Sequence, residues 1–213
     1  MPKRNDWTKK QLEKEVKRLT AVTVPVNMLI KGQQRILCMT EMEGILNEAR
    51  LIGLGDCGCR AKLKKCDSPL DVCLTLDKDA KDAIERGNAR KITLAKAFDV
   101  LKRSHEAGLV HIAYTFKGKE EPGLVCSCCS CCCQSMSALV RFGMPTAVVS
   151  SKYVASNKGE TCISCGKCVE GCQFKARHLE NEKMVFDVAR CFGCGVCLTT
   201  CPTASISLIE RAS

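Results

Sequence analysis

Residues 162–172 read CISCGKCVEGC and residues 191–201 read CFGCGVCLTTC. Each is a C-x2-C-x2-C-x3-C run, and every cysteine of the first recurs 29 positions later in the second. Three cysteines spaced in this way let a short loop wrap one iron–sulfur cubane, with Gly166 and Gly195 allowing tight turns and close backbone approach to inorganic sulfide. The fourth cysteine starts the next turn and is aimed away, so it ligates the other cluster of a two-cluster unit. Cys162, Cys165, Cys168 and Cys201 are therefore assigned to one [4Fe-4S] cluster, and Cys191, Cys194, Cys197 and Cys172 to a second. Such clusters carry single electrons.

Zinc held by two CxxC pairs is the alternative, but zinc motifs rarely supply a four-cysteine run twice at this spacing. From Tyr153 to Glu210 the chain resembles the bacterial-type two-cluster ferredoxins. That resemblance implies a pseudo-twofold βαβ module with Tyr153–Ala155 and Ser205–Leu208 as strands. The family usually places proline after each fourth cysteine. Pro202 conforms and Gln173 does not, which leaves one extra backbone N–H near that sulfur.

A second body of sulfur lies upstream. CSCCSCCC at 126–133 holds Cys126, Cys128, Cys129, Cys131, Cys132 and Cys133, and Cys57, Cys59, Cys66 and Cys73 precede it. Their spacings match no standard zinc finger or ferredoxin. An extended chain turns alternate side chains to opposite faces and a turn spreads them further, so all six thiols of the run cannot face one tetrahedral ion. Subsets of the ten suffice for one additional iron–sulfur cluster of unusual nuclearity or for two more cubanes. Cys38, isolated in RILCMTE, reads as a core residue.

The bulk composition agrees. Nineteen cysteines in 213 residues signal either a disulfide scaffold or a metal protein. The opening MPKRNDWTKKQLEKEVKR has no apolar run after its charges, and no segment approaches the roughly 18–20 apolar residues of a membrane span. The expected setting is the cytoplasm, where thiols stay reduced and serve as metal ligands. The net charge of +10 falls to about +6 once two cubanes of charge 2− are included. With 4% aromatic residues and dispersed lysines the chain offers little to nucleic acid. An acidic redox partner protein is the expected use of the positive charge.

Helical spacing predicts a helix from about Thr8 to Leu19, and a Thr40/Glu43 capping box predicts a second reaching about Leu51. Thr93 caps a third, Leu94 to Glu106, stopped by Gly108. LVHIAYTF at 109–116 reads as a strand, SMSALVRFG as a helix ending at Gly143, and TAVVS as a strand. The fold class expected is a mixed α/β cysteine-rich domain over 1–152, holding the additional iron–sulfur site, followed by an α+β ferredoxin-like module with two [4Fe-4S] clusters over 153–213.

Across most of residues 40–210 the chain resembles a family of cysteine-rich dicluster ferredoxin-like proteins of anaerobic bacteria and archaea. Their C-x-C-R, C-D-x-P-x-x-x-C and C-x-C-C-x-C-C-C stretches correspond to Cys57–Arg60, Cys66–Cys73 and Cys126–Cys133. The resemblance implies a further iron–sulfur site beside a ferredoxin module. A looser similarity to the cysteine-rich domains of heterodisulfide reductases stops short of their duplicated CCG spacing.

Arg60, Lys62, Lys64 and Lys65 flank the CxC site, either as a solvated face or as an anion pocket. His105 reads as a solvated or capping residue near a helix end, and His111 as a packed strand residue. His178 stands apart from both. No nucleophile elbow, GxGxxG or Walker loop is present. The leading functional expectation is low-potential single-electron transfer between the two cubanes and the upstream cluster. Its rivals are an iron–sulfur oxidoreductase acting on a small anionic substrate, and a redox-sensing or interaction module.

Overall fold

The structure is a computed structural model that describes residues 6–17, 19–24, 37–116 and 121–211. Its larger part is built on a six-stranded sheet. In chain order the strands are β1 (Leu19–Val24), β2 (Ile52–Asp56), β3 (Asp71–Leu76), β4 (Arg90–Ile92), β5 (Val110–Phe116) and β6 (Leu124–Cys128), in the spatial order β1-β5-β6-β3-β2-β4. Every neighbouring pair is antiparallel.

Alternation along these strands sorts the chemistry onto two faces. On β3, Val72, Leu74 and Leu76 are buried while Asp71, Cys73 and Thr75 are half-buried. The first set packs with Leu54, Ala113 and Val125, Met42 and Leu46 of α2 (Leu37–Glu48), and Ala97, Val100 and Leu101 of α5 (Leu94–Glu106). The opposite face carries Ile112, Tyr114 and Cys128, covered by Leu12 of α1 (Lys9–Val16) and by Met136 and Ala138 of α6 (Gln134–Phe142). Leu12 is fully buried and contributes roughly 1.5–3 kcal/mol to seating α1. Two short helices, α3 (Gly58–Leu63) and α4 (Asp77–Glu85), complete this part.

The α5 helix has the boundaries its sequence predicts. Thr93 Oγ1 accepts the Lys96 N–H at 3.2 Å, and Gly108 follows at φ 72°. Gly143, at φ 63°, ends α6 as expected. Other expectations need correction. The first helix stops at Val16, because the β-branched run that follows pairs with β5 as β1. The second helix begins at Leu37, three residues before Thr40, so Thr40 is not its N-cap. The TAVVS segment is not a strand. Pro145, which lacks an N–H, opens a 3₁₀ turn over Pro145–Ala147 instead. Cys38 lies on α2 with its side chain outside the described residues.

The C-terminal part holds β7 (Tyr153–Asn157), α7 (Lys167–Glu170), β8 (Arg177–Glu180), β9 (Lys183–Phe186), α8 (Val196–Thr200) and β10 (Ile206–Glu210). β7 pairs with β10 and β8 with β9, both antiparallel, so the first strand of each repeat meets the last strand of the other. The molecule is thus mixed α/β with antiparallel sheets. Among the described residues no helix is long and apolar enough to cross a membrane.

Candidate metal centres

Gly166 and Gly195 sit at φ 76° and 80° as the N-caps of α7 and α8, a conformation that would strain a side-chain-bearing residue. They turn the two cysteine loops inward in the same way. Cys162, Cys165, Cys168 and Cys201 line one small cavity. The second repeat's fourth cysteine thereby joins the first repeat's three. Burial, and then the neighbouring Cys197, Cys172 and Cys191, push the Cys194 thiol upward, which places Cys172 among the second loop's sulfurs.

The symmetry extends to hydrogen bonds. Cys172 Sγ accepts the Ala176 N–H and Cys201 Sγ accepts the Ser205 N–H, each at 3.3 Å. Such donors favour thiolate over thiol. Between the loops lies Arg177, which is buried. Its Nη1 donates to Asn157 Oδ1 at 2.9 Å, its guanidinium lies 4.4 Å from the Phe186 ring centroid, and its Nη2 has no partner among the described residues. Burial raises the Cys168 and Cys197 thiols, Cys197 to about 12, and Arg177 pulls both back down. Four cysteines around one cavity, amide donors on Cys172 and Cys201 and a buried guanidinium fit a site for a [4Fe-4S] cluster.

The upstream thiols divide. Cys126 and Cys128 project from one face of β6, and Cys73 of β3 lies beside them, with Cys73 and Cys126 Sγ 3.7 Å apart. Cys133, the N-cap of α6, and Cys57 and Cys59 at the start of α3 complete a set of six thiols around one cavity of about 460 Å³. Tyr114 Oη lies 3.7 Å from Cys128 Sγ and 3.6 Å from Cys133 Sγ. Cys59 Sγ lies 3.9 Å from Gln134 Oε1. Crowding makes these sulfurs compete for protons. Neighbouring thiols hold Cys57 and Cys128 well below the ordinary thiol range and drive Cys59 and Cys126 above it. A cationic cluster core relieves that competition.

Cys66, Cys129, Cys131 and Cys132 form a separate group away from this cavity, with all four sulfurs within 4.8 Å of one another. Between the groups runs Arg60, 1% exposed. It donates to Pro69 O, to Ser127 O at 3.1 Å and to Cys129 Sγ at 3.7 Å, while its Nε has no partner among the described residues. The solvated-face reading fails for Arg60. Burial alone would lower its pKa, but Cys57 and then Cys129 raise it. Lys62 lies over Trp7, 4.2 Å from its ring centroid, and Lys65 pairs with Asp6 at 2.6 Å, so neither forms an anion pocket.

His105 also departs from expectation. It is buried, with Nε2 3.1 Å from Thr199 Oγ1 of α8. His111 is fully buried, as a packed strand residue should be, and His178 is exposed. Sequence reasoning missed Gln173 as a connector. Its side chain bonds to Ser130 and Gly108, and only its departure from the usual proline marked it out.

A family model described as a 4Fe-4S dicluster domain matches residues 161–205. No curated protein matches the chain. Together with the close-set upstream thiols, the match supports an iron–sulfur, metal-binding protein with an electron-transfer role.

Proposed function

We propose that the chain is a two-cubane electron carrier with a third iron–sulfur cluster in the six-thiol cavity. The observation that carries it is the crossing of the fourth cysteines, with Cys201 lining the cavity of Cys162, Cys165 and Cys168. In this reading those four residues hold one [4Fe-4S] cluster, and Cys172, Cys191, Cys194 and Cys197 hold the other. A subset of Cys57, Cys59, Cys73, Cys126, Cys128 and Cys133 holds the additional cluster. When bound, the clusters supply single-electron chemistry at a potential set by ligation, charge and hydrogen bonding. The chain fixes that potential through the N–H donors on Cys172 and Cys201 and through Arg177.

The division into a cysteine-rich domain over 1–152 and a two-cluster module over 153–213 belongs to this proposal. So do a cytoplasmic setting in an anaerobe, membership of the cysteine-rich dicluster family and docking of an acidic redox partner. Anaerobic iron and acid-labile sulfide analysis tests the core of it. More than about 8 acid-labile sulfides per chain, with iron to match, are expected, the sulfide falling toward 8 in a Cys57→Ser/Cys126→Ser variant. A wild-type sulfide value of 8 or below refutes the third cluster.

A second reading is an oxidoreductase. The six-thiol cavity, at about 460 Å³, has the size of a small-molecule site. Its described lining includes Asp56 and Glu15 but no lysine or arginine, so an anionic substrate would find no cation there. A resonance of the third cluster that changes when small substrates are added would favour this reading.

A further inference from the structure

The ten upstream thiols do not form one pool, and the four outside the cavity are packed too tightly for a cubane. Cys66 lies in the segment between α3 and β3, while Cys129, Cys131 and Cys132 lie in the turn between β6 and α6. Cys66 and Cys129 Sγ are 3.8 Å apart and Cys131 and Cys132 Sγ 3.7 Å. A tetrahedral ion with metal–sulfur bonds of about 2.3 Å sets its thiolates about 3.8 Å apart. A cubane binds each thiolate to a different iron and holds the sulfurs farther apart. Among the described residues this is the one group of three or more such ligands drawn within 4.8 Å. The cysteines of the C-terminal repeat are not so close.

The surroundings suit a closed site of charge 2−. Arg60 brings a buried guanidinium to 3.7 Å from Cys129 Sγ, with its Nε unpartnered among the described residues. Donors from Ser68 reach Cys66 and the Lys65 backbone N–H reaches Cys132. Trp7 closes the turn from outside, its Nε1 donating to Cys132 O at 2.8 Å. Four sulfurs joined by no fifth His, Cys, Asp or Glu ligand among the described residues make a structural rather than a catalytic arrangement.

We propose that Cys66, Cys129, Cys131 and Cys132 bind a single thiophilic divalent ion, zinc or ferrous iron, as a closed tetrathiolate site distinct from any iron–sulfur cluster. The site pins the 64–70 segment to the thiol-rich turn, so that metal binding contributes directly to folding. It goes beyond the electron-carrier reading and stands whether or not the six-thiol cavity holds a cluster.

The test compares zinc, iron and acid-labile sulfide in the anaerobically purified full chain and in a Cys66→Ser/Cys132→Ser variant. Loss of about one metal ion per chain with sulfide unchanged is the expected result. Loss of iron and sulfide in equal numbers, or no loss of metal, overturns the proposal. Should the variant fail to fold, X-ray absorption and Mössbauer spectroscopy of the wild type decide. Zinc with a single sulfur shell near about 2.3 Å and no iron neighbour supports the site, as does a mononuclear high-spin iron doublet apart from the cluster signals. Absence of both overturns it.

Discussion

Gln173 Oε1 accepts two hydrogen bonds from Ser130, from the backbone N–H at 3.0 Å and from the hydroxyl at 2.8 Å. Its Nε2 donates to Gly108 O at 3.1 Å. Ser130 stands between Cys129 and Cys131, and Gln173 directly follows Cys172. One amide side chain therefore links the thiol-rich turn to the C-terminal repeat. Proline at 173 would remove both connections. Gln173→Ala leaves the Ser130 N–H and the Gly108 carbonyl without these partners and should cost about 1–3 kcal/mol. Hydrogen exchange is the direct check: protection at residues 129–132 should fall in the variant, while unchanged protection would mean that the link is incidental.

Arg60 makes a second prediction. It is a buried cation whose carbonyl and sulfur partners come from two separate segments, Pro69 from one and Ser127 and Cys129 from the other. Removing the charge in Arg60→Met leaves the thiolates of both upstream groups without their counter-ion, at a cost of about 3–5 kcal/mol. Metal bound by the upstream thiols should drop while that of the C-terminal repeat persists. Arg60→Lys should not rescue it, because an ammonium cannot reproduce the planar fork that spans Pro69 O and Ser127 O. Metal analysis after anaerobic gel filtration checks both variants. Full retention in Arg60→Met would refute the counter-ion role.

Arg177 predicts a shift in redox potential. Its guanidinium acts on Cys168 in one loop and Cys197 in the other, so under the proposed two-cluster reading it would stabilise the more negative, reduced form of each cluster. Arg177→Met should move both couples to more negative values by on the order of 40 mV, equivalent to about 1 kcal/mol for one electron. Protein-film voltammetry resolves such a change. A shift confined to one couple would show that Arg177 serves one loop alone.

What could be read from the sequence follows from where its constraints lie. Metal ligation demands fixed spacing, so the cysteine repeat was plain, and a capping threonine with a stop glycine gave α5 its limits. The division of the upstream thiols was hidden because it depends on strand pairing. Cys73 meets Cys126 only because Leu74 of β3 pairs with Val125 of β6, 51 positions away. Arg60 sits among lysines and reads as surface until Pro69 O and Ser127 O close over it. His105 reads as a helix-end residue because its partner Thr199 lies 94 positions downstream. In each case a long-range contact overrides the local pattern.

That histidine yields the last prediction. The rings of His105 and His111 stack with centroids 5.9 Å apart and an interplanar angle of 13°. His111 Nδ1 lies 3.0 Å from Ser127 Oγ, while His105 Nδ1 and His111 Nε2 lack partners among the described residues. A proton on either ring would be a buried charge beside the other ring. Burial lowers His105 to about 4, and burial followed by its neighbour His105 lowers His111 to about 3, from an ordinary value of 6.5. The folded chain thus holds fewer protons than the unfolded chain between those values and 6.5. Stability is complete above 6.5, falls as the pH drops through this window and levels off below about 3, at a cost on the order of 3 kcal/mol for His105 and about 5 kcal/mol for His111. Thermal melts under anaerobic conditions at pH values from about 7.5 down to about 5 should show this decline. His111→Phe keeps an aromatic ring in the stack without a titrating nitrogen and should make the decline shallower. An identical slope in the variant would place the pH dependence elsewhere in the fold.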